Sequence, residues 1–254
     1  MAARKPQPLS RSDPMPLVQR NSDTRPAETR RRILDTSLRL FAEHGFKGVS
    51  VRDISVAAGV NVAAVNYHFG SKQGLYRTIF ETVLDEDQGR FTEQMDNVAT
   101  LLGRAGGDRV LLAAAAQILA AGTAGRIATF EQAHWFSVLL ARELALPGEL
   151  FDLIYRRRAE PLLAMMTRLV AAAWGLAAED PGARLCANIL YGQVGSLVFS
   201  RPVLWRQLGW EGYTPERVDI LTRTITDIIC RCIGLPPAPD APPDQVQSAM
   251  GVAP

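Results

Sequence analysis

The chain has 254 residues, of which 47% are hydrophobic and 21% are charged, and its formal net charge is +2. This apolar fraction is large enough for a packed core, which excludes a disordered chain. Three cysteines are too few for a disulfide framework, and none has metal-ligand spacing with a histidine. We therefore expect reduced core thiols, no metal and no cofactor.

Positive charge is concentrated in the first third of the chain. Residues 1–80 contain 13 Lys or Arg and 6 Asp or Glu, whereas residues 81–254 contain 15 and 20. Phosphate contacts need cationic side chains, so this asymmetry favours a polyanionic partner for the first part alone. A solvated first helix that contains residues 29–32, TRRR, is the alternative explanation for part of the excess.

The two ends of the chain differ in composition from the middle. Residues 1–24 are rich in Pro, Ser and Arg and predict a disordered basic arm, which either contacts phosphates or has no role. Residues 236–254 are rich in proline and predict a disordered tail. We find no signal peptide and no apolar run of roughly 20 residues, the length that crosses a bilayer, so we expect a cytoplasmic protein.

Helical periodicity runs through the middle of the chain, without a persuasive strand pattern. We therefore predict an all-α protein of about nine helices, with a head at 25–72 and a helical body at 73–235. The predicted helices span about 26–44, 51–58, 62–68, 72–99, 108–122, 129–145, 148–174, 181–200 and 215–233.

The second and third predicted helices meet at a glycine, which is the pattern of a helix-turn-helix. Ser50 is expected to cap the first of them, with Asp53 as the acid of a capping box. Gly59 ends that helix with positive φ, and Asn61 caps the next one. Two surface helices joined by a glycine turn are the alternative, but the flanking amphipathic helices favour a small DNA-binding head.

The third predicted helix has two different faces. Val65 and Phe69 lie four residues apart and should face the partner helix. The opposite face begins with small apolar residues, which let the backbone approach a groove, and continues with polar and aromatic groups near phosphates and base edges. It carries Val62, Ala63, Asn66 and Tyr67, with His68 at its end.

Two later helices have features beyond core patterning. Gly192 and Gly195 lie inside one of them, where each glycine costs about 1 kcal/mol relative to alanine, and a close neighbouring helix would offset that loss. The last helix has a broad apolar stripe. We predict a homodimer interface here, with the domain interior as the alternative. The candidates are Asn188, Gly192, Gly195, Ser196, Phe199, Leu221, Ile225 and Ile228.

Residues 60–76, VNVAAVNYHFGSKQGLY, together with residues 29–59, resemble the DNA-binding head of TetR-family transcriptional regulators. Residues 140–143, 161–175 and 191–209 are similar to the regulatory domain of the CecR-like branch. The resemblance implies a homodimer, DNA bound by two heads, and a small-molecule pocket in the helical body.

By position, the resemblance also implies a surface that faces an operator. Arginine can bond bidentately to guanine and asparagine to adenine, and small apolar side chains can contact a thymine methyl. Tyr67 and His68 are expected to contact the DNA backbone and so position the head on the DNA, and Ser50 and Lys72 are expected to hold phosphates. The family often has tyrosine where this chain has Asn66, so we assign no half-site sequence. The DNA-binding candidates are Ser50, Arg52, Val62, Ala63, Ala64, Asn66, Tyr67, His68 and Lys72.

The implied pocket is the second candidate site. Arg142 and Glu143 interrupt an apolar run, where a charged side chain needs a partner, so a ligand or an ion pair to another helix would explain them. Met and aromatic residues at helical spacing are either pocket wall or ordinary core. The pocket candidates are Trp135, Phe136, Arg142, Glu143, Tyr155, Met165, Met166 and Trp174.

The favoured function is a ligand-responsive repressor that binds a palindromic operator as a homodimer and is released by a small, largely hydrophobic effector. The alternative is a DNA-binding regulator that is controlled by a protein partner or acts as an activator. We do not expect an enzyme, because the sequence lacks a GxSxG motif, a phosphate-binding glycine loop and an HExxH motif. The expected partners are double-stranded operator DNA, a second copy of the chain and an unknown small molecule, with no membrane.

Overall fold

A computed structural model describes residues 25–132 and 134–238, and all their regular secondary structure is helical. The all-α prediction is confirmed, whereas the predicted arm at 1–24 and most of the predicted tail lie outside the described residues. The first helices are α1 (Arg25–His44), α2 (Val51–Ala58), α3 (Val62–Phe69) and α4 (Lys72–Glu86). The others are α5 (Gln88–Ala105), α6 (Arg109–Gln132), α7 (His134–Ala145), α8 (Phe151–Ile154), α9 (Glu160–Trp174), α10 (Pro181–Phe199), α11 (Arg201–Leu208) and α12 (Pro215–Cys232), with a π-helical turn at Tyr155–Ala159 between α8 and α9.

Several of the nine predicted helices have different bounds in the structure. The helix predicted over 72–99 is interrupted at Asp87, between α4 and α5, and the helix predicted over 108–122 continues to the end of α6. α11 occupies a stretch that was predicted to be a loop. Pro202 lies in its first turn, where the missing N–H group is not needed, and Gly209 ends it in the left-handed conformation.

One apolar cluster holds the head together and extends into the body. Phe41 and Phe80 are fully buried in it, and so is Phe136 of α7. The ring centroids of Phe80 and Phe136 lie 5.1 Å apart, so α4 and α7 meet directly. The head's core therefore continues past residue 72, where the predicted boundary falls, along the first half of α4.

α6 forms the centre of the second apolar cluster, where it packs against α5 and α12. By length and composition, Arg109–Ala128 could cross a membrane, so the expectation that the chain lacks such a run was wrong. However, 56% of this segment is buried inside the protein, as in the core helix of a globular domain. Its residues 113–116 are four buried alanines, which allow the neighbouring helices to approach closely.

The three cysteines are free, and they differ in exposure. Cys230 is buried, which raises the pKa of its thiol to about 11. Cys186 is partly buried and Cys232 is exposed, so the prediction of core thiols is wrong for Cys232. The reason is helical geometry, because two residues along a helix rotate a side chain by about 200°. No group of three metal-ligating side chains occurs in the part of the chain that the structure describes.

The α5–α6 contact depends on a glycine. The Gln94 side chain of α5 is buried, and its Nε2 donates to the carbonyl oxygens of Ile118 at 2.9 Å and Leu119 at 3.2 Å. A Cβ atom added to Gly122 would collide with the Gln94 amide, whereas a Cβ atom on Gly125 would meet nothing within 4 Å.

We therefore expect the Gly122→Ala variant to lose about 1–3 kcal/mol of unfolding free energy, because the overpacked Gln94 amide must leave its carbonyl partners. The matched Gly125→Ala variant should be unchanged or gain up to about 1 kcal/mol, because alanine favours a helix. Urea denaturation of both variants measures the difference. Equal stability of the two proteins would contradict the proposed contact.

Candidate nucleic-acid interface and ligand cavity

Side-chain caps fix the turn between α2 and α3. Asp53 N–H donates to Ser50 Oγ at 3.1 Å, and Ser50 N–H donates to Asp53 Oδ2 at 2.8 Å, which completes the predicted capping box. The Asp53 carboxylate accepts hydrogen bonds from the Ser50 hydroxyl and from the Ser50 backbone N–H, and these two bonds lower the pKa of Asp53. Gly59 ends α2 with φ of +62°, and Asn61 Oδ1 accepts from Ala64 N–H at 2.7 Å. The turn therefore has the conformation that the sequence predicted.

The faces of α3 divide as the sequence pattern predicted. Val65 and Phe69 are buried against the rest of the head, whereas 84% of the Tyr67 surface is exposed. Val62, Ala63 and Asn66 are also exposed, Ala64 and His68 are partly buried, and Arg52 is exposed on α2. The outward face of α3 is therefore accessible to a macromolecular partner.

Two of the predicted phosphate ligands are engaged within the protein. The hydroxyl of Ser50 donates to Asp53 Oδ2 at 2.6 Å. The ammonium group of Lys72 donates to the carbonyl oxygens of Phe46 and Val49, both at 3.0 Å, and lies 4.3 Å from the centroid of the Phe46 ring. To donate to a phosphate, the Ser50 hydroxyl would have to leave Asp53, because it has one O–H. The Lys72 ammonium has three N–H donors, so one remains beyond those that the two carbonyl oxygens accept.

A cavity of about 190 Å³ lies within the body, next to the end of α4. Its lining is mostly apolar and comes from α4–α10 and α12, and from the π-helical turn between α8 and α9. The apolar lining includes Val83, Leu84, Phe91, Leu119, Ile127, Phe136, Leu140, Leu162, Met166, Val194, Val198, Ile225 and Ile229. Glu86, Asp87, Arg90, Thr123, Arg126, Arg158 and Tyr191 supply polar groups. This combination resembles a small-molecule site, which is typically apolar with a few polar anchors.

Only two of the eight predicted pocket residues, Phe136 and Met166, line this cavity. Trp135 packs on the core that the head shares with α7, and Met165 packs on the body core. Tyr155 and Trp174 are exposed at the surface. Periodicity identified these side chains as apolar, but it does not show which side of a helix adjoins an open space.

Arg142 and Glu143 connect α7 to the head instead of lining the cavity. Glu143 is buried and accepts a hydrogen bond from the Tyr76 hydroxyl at 3.0 Å and one from Gly148 N–H at 3.2 Å. Burial and the adjacent Glu143 carboxylate raise the pKa of Tyr76. Arg142 lies over Gly45, where an added Cβ would be 2.7 Å from its Nη1. The hydrogen bonds from Tyr76 and Gly148 therefore account for the buried Glu143 carboxylate, whereas Arg142 is exposed to solvent beside the head.

The predicted dimer residues differ in whether they are exposed at the surface. Asn188, Gly192, Ser196 and Ile228 are exposed. Leu221 and Ile225 are buried, with 7% and 3% of their surfaces exposed, and both belong to the body core. Gly195 lines the cavity, and the side chain of Phe199 lies outside the described residues. Leu221 and Ile225 are therefore not available to a second subunit, because the inner side of α12 packs on α6.

Two family models match the head and the body separately. Residues 33–79 match bacterial regulatory proteins of the tetR family, and residues 116–234 match the C-terminal domain of the HTH-type transcriptional dual regulator CecR. The chain belongs to the TetR family. As a TetR-family protein it is a DNA-binding transcriptional regulator, and its body is a CecR-like C-terminal domain.

Individual relatives agree with this assignment. The transcriptional dual regulator CecR of Shigella flexneri is 25% identical over 204 residues, which cover 78% of this chain and 88% of the relative. The repressor AcnR of Corynebacterium glutamicum is 36% identical over 69 residues, which cover 27% of this chain and 35% of AcnR. The solved structure of Mycobacterium smegmatis AmtR matches with a TM-score of 0.52 and 25% identity, over 93% of this chain and 99% of AmtR. TetR-family regulators are not enzymes, so the expectation that the chain lacks catalytic activity agrees with its family.

The cavity arginines of this TetR-family protein were missed by sequence analysis. Arg126 lies in the apolar α6, and Arg158 is the third residue of the run Arg156–Arg158. A charged residue within an apolar helix was the signal that singled out Arg142 and Glu143, and it applies equally to Arg126. Arg158 was not singled out because it follows two other arginines, and the sequence does not show which of the three lines the cavity.

We predict that the Lys72→Met variant of this TetR-family regulator loses about 1–3 kcal/mol of unfolding free energy without DNA, because two backbone carbonyls lose a charged donor. The exposed Lys47→Met variant should stay within about 0.5 kcal/mol of the unsubstituted protein. Thermal and urea unfolding without DNA measure both variants. If Lys72→Met unfolds like the unsubstituted protein, the ammonium has no structural role and a phosphate contact becomes the better explanation.

Proposed function

We propose that this TetR-family regulator is a ligand-responsive repressor that binds a palindromic operator as a homodimer and is released by a small, largely hydrophobic effector. The observation that carries the proposal is the cavity in the body, because it adjoins α4, the helix that leads into the DNA-binding head. We place the protein in the cytoplasm, where the operator is.

DNA recognition is assigned to the outward face of α3, supported by Arg52 on α2. The first turn of α3 is small and apolar, so its backbone could approach base edges, and Asn66 and Tyr67 project beyond it. The charge of the head supports this role, since residues 25–80 contain 9 Lys or Arg and 4 Asp or Glu. Ser50 and Lys72 would assist by fixing the fold of the head.

Homodimerisation is assigned to the outer sides of α10 and α12. Leu185 and Ile189 of α10 are 62% and 52% exposed, one helical turn apart, and Gly192 and Ser196 continue the same face. Ile228 of α12 is also exposed. This surface replaces Leu221 and Ile225 in the proposed interface. A dimer with two-fold symmetry presents two heads, which is the reason to expect a palindromic operator.

Ligand response is assigned to the contact between the cavity and α4. Val83 and Leu84 of α4 line the cavity, while Tyr76 and Phe80 of the same helix are buried in the head's core. A ligand that favours one arrangement of the cavity wall would therefore change the position of the head. Operator binding requires two heads about 34 Å apart, so such a shift would release DNA.

Activation of transcription is a second candidate, because the relative from Shigella flexneri is named a dual regulator. AcnR, by contrast, is named a repressor. A reporter gene placed behind the selected operator separates the two roles: a repressor lowers its expression, whereas an activator raises it.

We predict that the Arg52→Ala/Tyr67→Ala double variant loses operator affinity by about tenfold or more, because it removes a base or phosphate donor and an exposed aromatic contact. Fragments selected from a random DNA pool with the unsubstituted protein supply the operator for a gel-shift titration. Arg104→Ala/Tyr155→Ala, which changes the same residue types on the body surface, is the matched control. Equal affinity of the Arg52/Tyr67 variant and the unsubstituted protein would contradict the assigned interface.

We also predict that the Leu185→Glu/Ile189→Glu variant is monomeric, because two charges would be buried without partners in the proposed interface. Val110→Glu, which changes an exposed apolar residue of α6, should leave the dimer intact. Sedimentation velocity measures the mass of each variant, and circular dichroism checks that it is folded. A folded double variant that remains dimeric would place the interface elsewhere.

A further inference from the structure

Two guanidinium groups lie at the wall of the cavity and share one aromatic ring. The Cζ atom of Arg126 lies 5.3 Å from the centroid of the Phe91 ring, and the Cζ atom of Arg158 lies 4.7 Å from it. Arg126 comes from α6 and Arg158 from the π-helical turn. Two separate elements therefore bring positive charge to the same place, where the apolar lining makes solvation poor.

Neutral groups are the only hydrogen-bond partners of these two arginines among the described residues. Arg126 donates to Gln94 Oε1 at 2.7 Å and more weakly to Thr123 Oγ1 at 3.4 Å. Arg158 donates to Gln88 Oε1 at 2.8 Å, and also to the carbonyl oxygens of Arg157 and Leu84. Neither arginine belongs to an ion pair within residues 25–132 and 134–238.

The pKa values of Arg126 and Arg158 indicate that nearby groups do not fully compensate for the burial of these two charges. Burial lowers the pKa of Arg126, and it lowers the pKa of Arg158 to about 10, although the nearby Asp87 carboxylate opposes both shifts. Both groups stay protonated at neutral pH. An anion that entered the cavity would therefore offset the desolvation cost of the two guanidinium groups through its opposite charge and through charge-assisted hydrogen bonds.

The acidic groups at the cavity do not cancel this positive charge. Asp87 Oδ1 accepts from Arg90 Nε at 3.1 Å, so this carboxylate already has a cationic partner. Its Oδ2 atom is buried and accepts no hydrogen bond from the described residues, which suits the hydroxyl of a ligand. Burial raises the pKa of Glu86, which disfavours its charged form. A cationic ligand would lie beside the guanidinium groups of Arg126 and Arg158, so the balance of charge favours an anion.

We propose that the effector is an amphipathic anion whose carboxylate is bound by Arg126 and Arg158 and whose apolar part contacts Leu162, Met166 and Ile225. The inference rests on the proposed function, in which the cavity is the effector site. It adds the chemical class of the ligand, a carboxylic acid with an apolar chain or ring.

The contacts of Arg158 also indicate how such a ligand would act on the head. Arg158 donates to the carbonyl oxygen of Leu84 in the last turn of α4 and to Gln88 in the first turn of α5. The adjacent Arg157 donates to Asp85 Oδ1 at 2.6 Å. A ligand carboxylate is a stronger acceptor for Arg158 than these neutral groups, so it would draw the guanidinium away from the α4–α5 joint. The end of α4 would then lose one of the contacts that fix its position.

A matched set of three probes tests the charge preference: octanoate, 1-octanol and octylamine, which share one alkyl chain. Their affinities are measured by calorimetry at pH 7 with the full chain. We expect octanoate to bind roughly tenfold or more tightly than either of the other probes, because only octanoate carries a charge opposite to that of both arginines. Arg126→Met should remove the preference, and Arg126→Lys should retain part of it. Arg168→Met, which changes an exposed arginine of α9 outside the cavity, should retain all of it.

Two outcomes overturn the proposed ligand class. Octanol binding as tightly as octanoate would show that charge has no role, and tighter binding of octylamine would assign the polar end to Asp87 and Glu86. A gel shift with the selected operator, measured with and without each probe, tests the effector role separately from the anion site. If octanoate binds through Arg126 but leaves operator affinity unchanged, the anion site stands and the effector role fails. If octanol alone releases the operator, the effector role stands and the anion proposal fails.

Discussion

The arrangement of this protein depends on α4, one helix that buries side chains in two different surroundings along its length. Its first half contributes Tyr76 and Phe80 to the head's core, and its second half contributes Leu84 to the wall of the cavity. The Phe80–Phe136 contact and the hydrogen bond from Tyr76 to Glu143 hold it against α7. Because close-packed interiors transmit displacements, a change at one end of α4 reaches the other.

Charged residues interrupt apolar helices at two places, Glu143 in α7 and Arg126 in α6. In α7, the buried Glu143 carboxylate is the acceptor for the Tyr76 hydroxyl and for Gly148 N–H. Arg126 in α6 likewise donates to a neutral group, Gln94 Oε1, but it lines the cavity. Both side chains have neutral hydrogen-bond partners, so position separates a structural contact from a candidate ligand contact: Glu143 lies between α7 and the head, and Arg126 lines the cavity.

Local sequence signals predicted the head well, because its structure depends on interactions between residues close in the chain. The capping box of Ser50 and Asp53 spans three residues, as does the cap from Asn61 to Ala64 N–H. Predictions were poorer in the body. The break at Asp87 and the helix α11 depend on how several helices pack together, and single-helix periodicity does not contain that information.

The sequence by itself determined the class of fold, the helix-turn-helix, the division of α3 into a buried and an exposed face, and the family. Only the tertiary structure decided which of many apolar residues border the cavity, which side of α12 is buried, and that Lys72 is turned toward the carbonyl oxygens of Phe46 and Val49. The physical reason is the distance along the sequence between the residues that interact. Caps and helical faces follow from neighbours three or four positions away, whereas a cavity is the space left between helices that are distant in sequence.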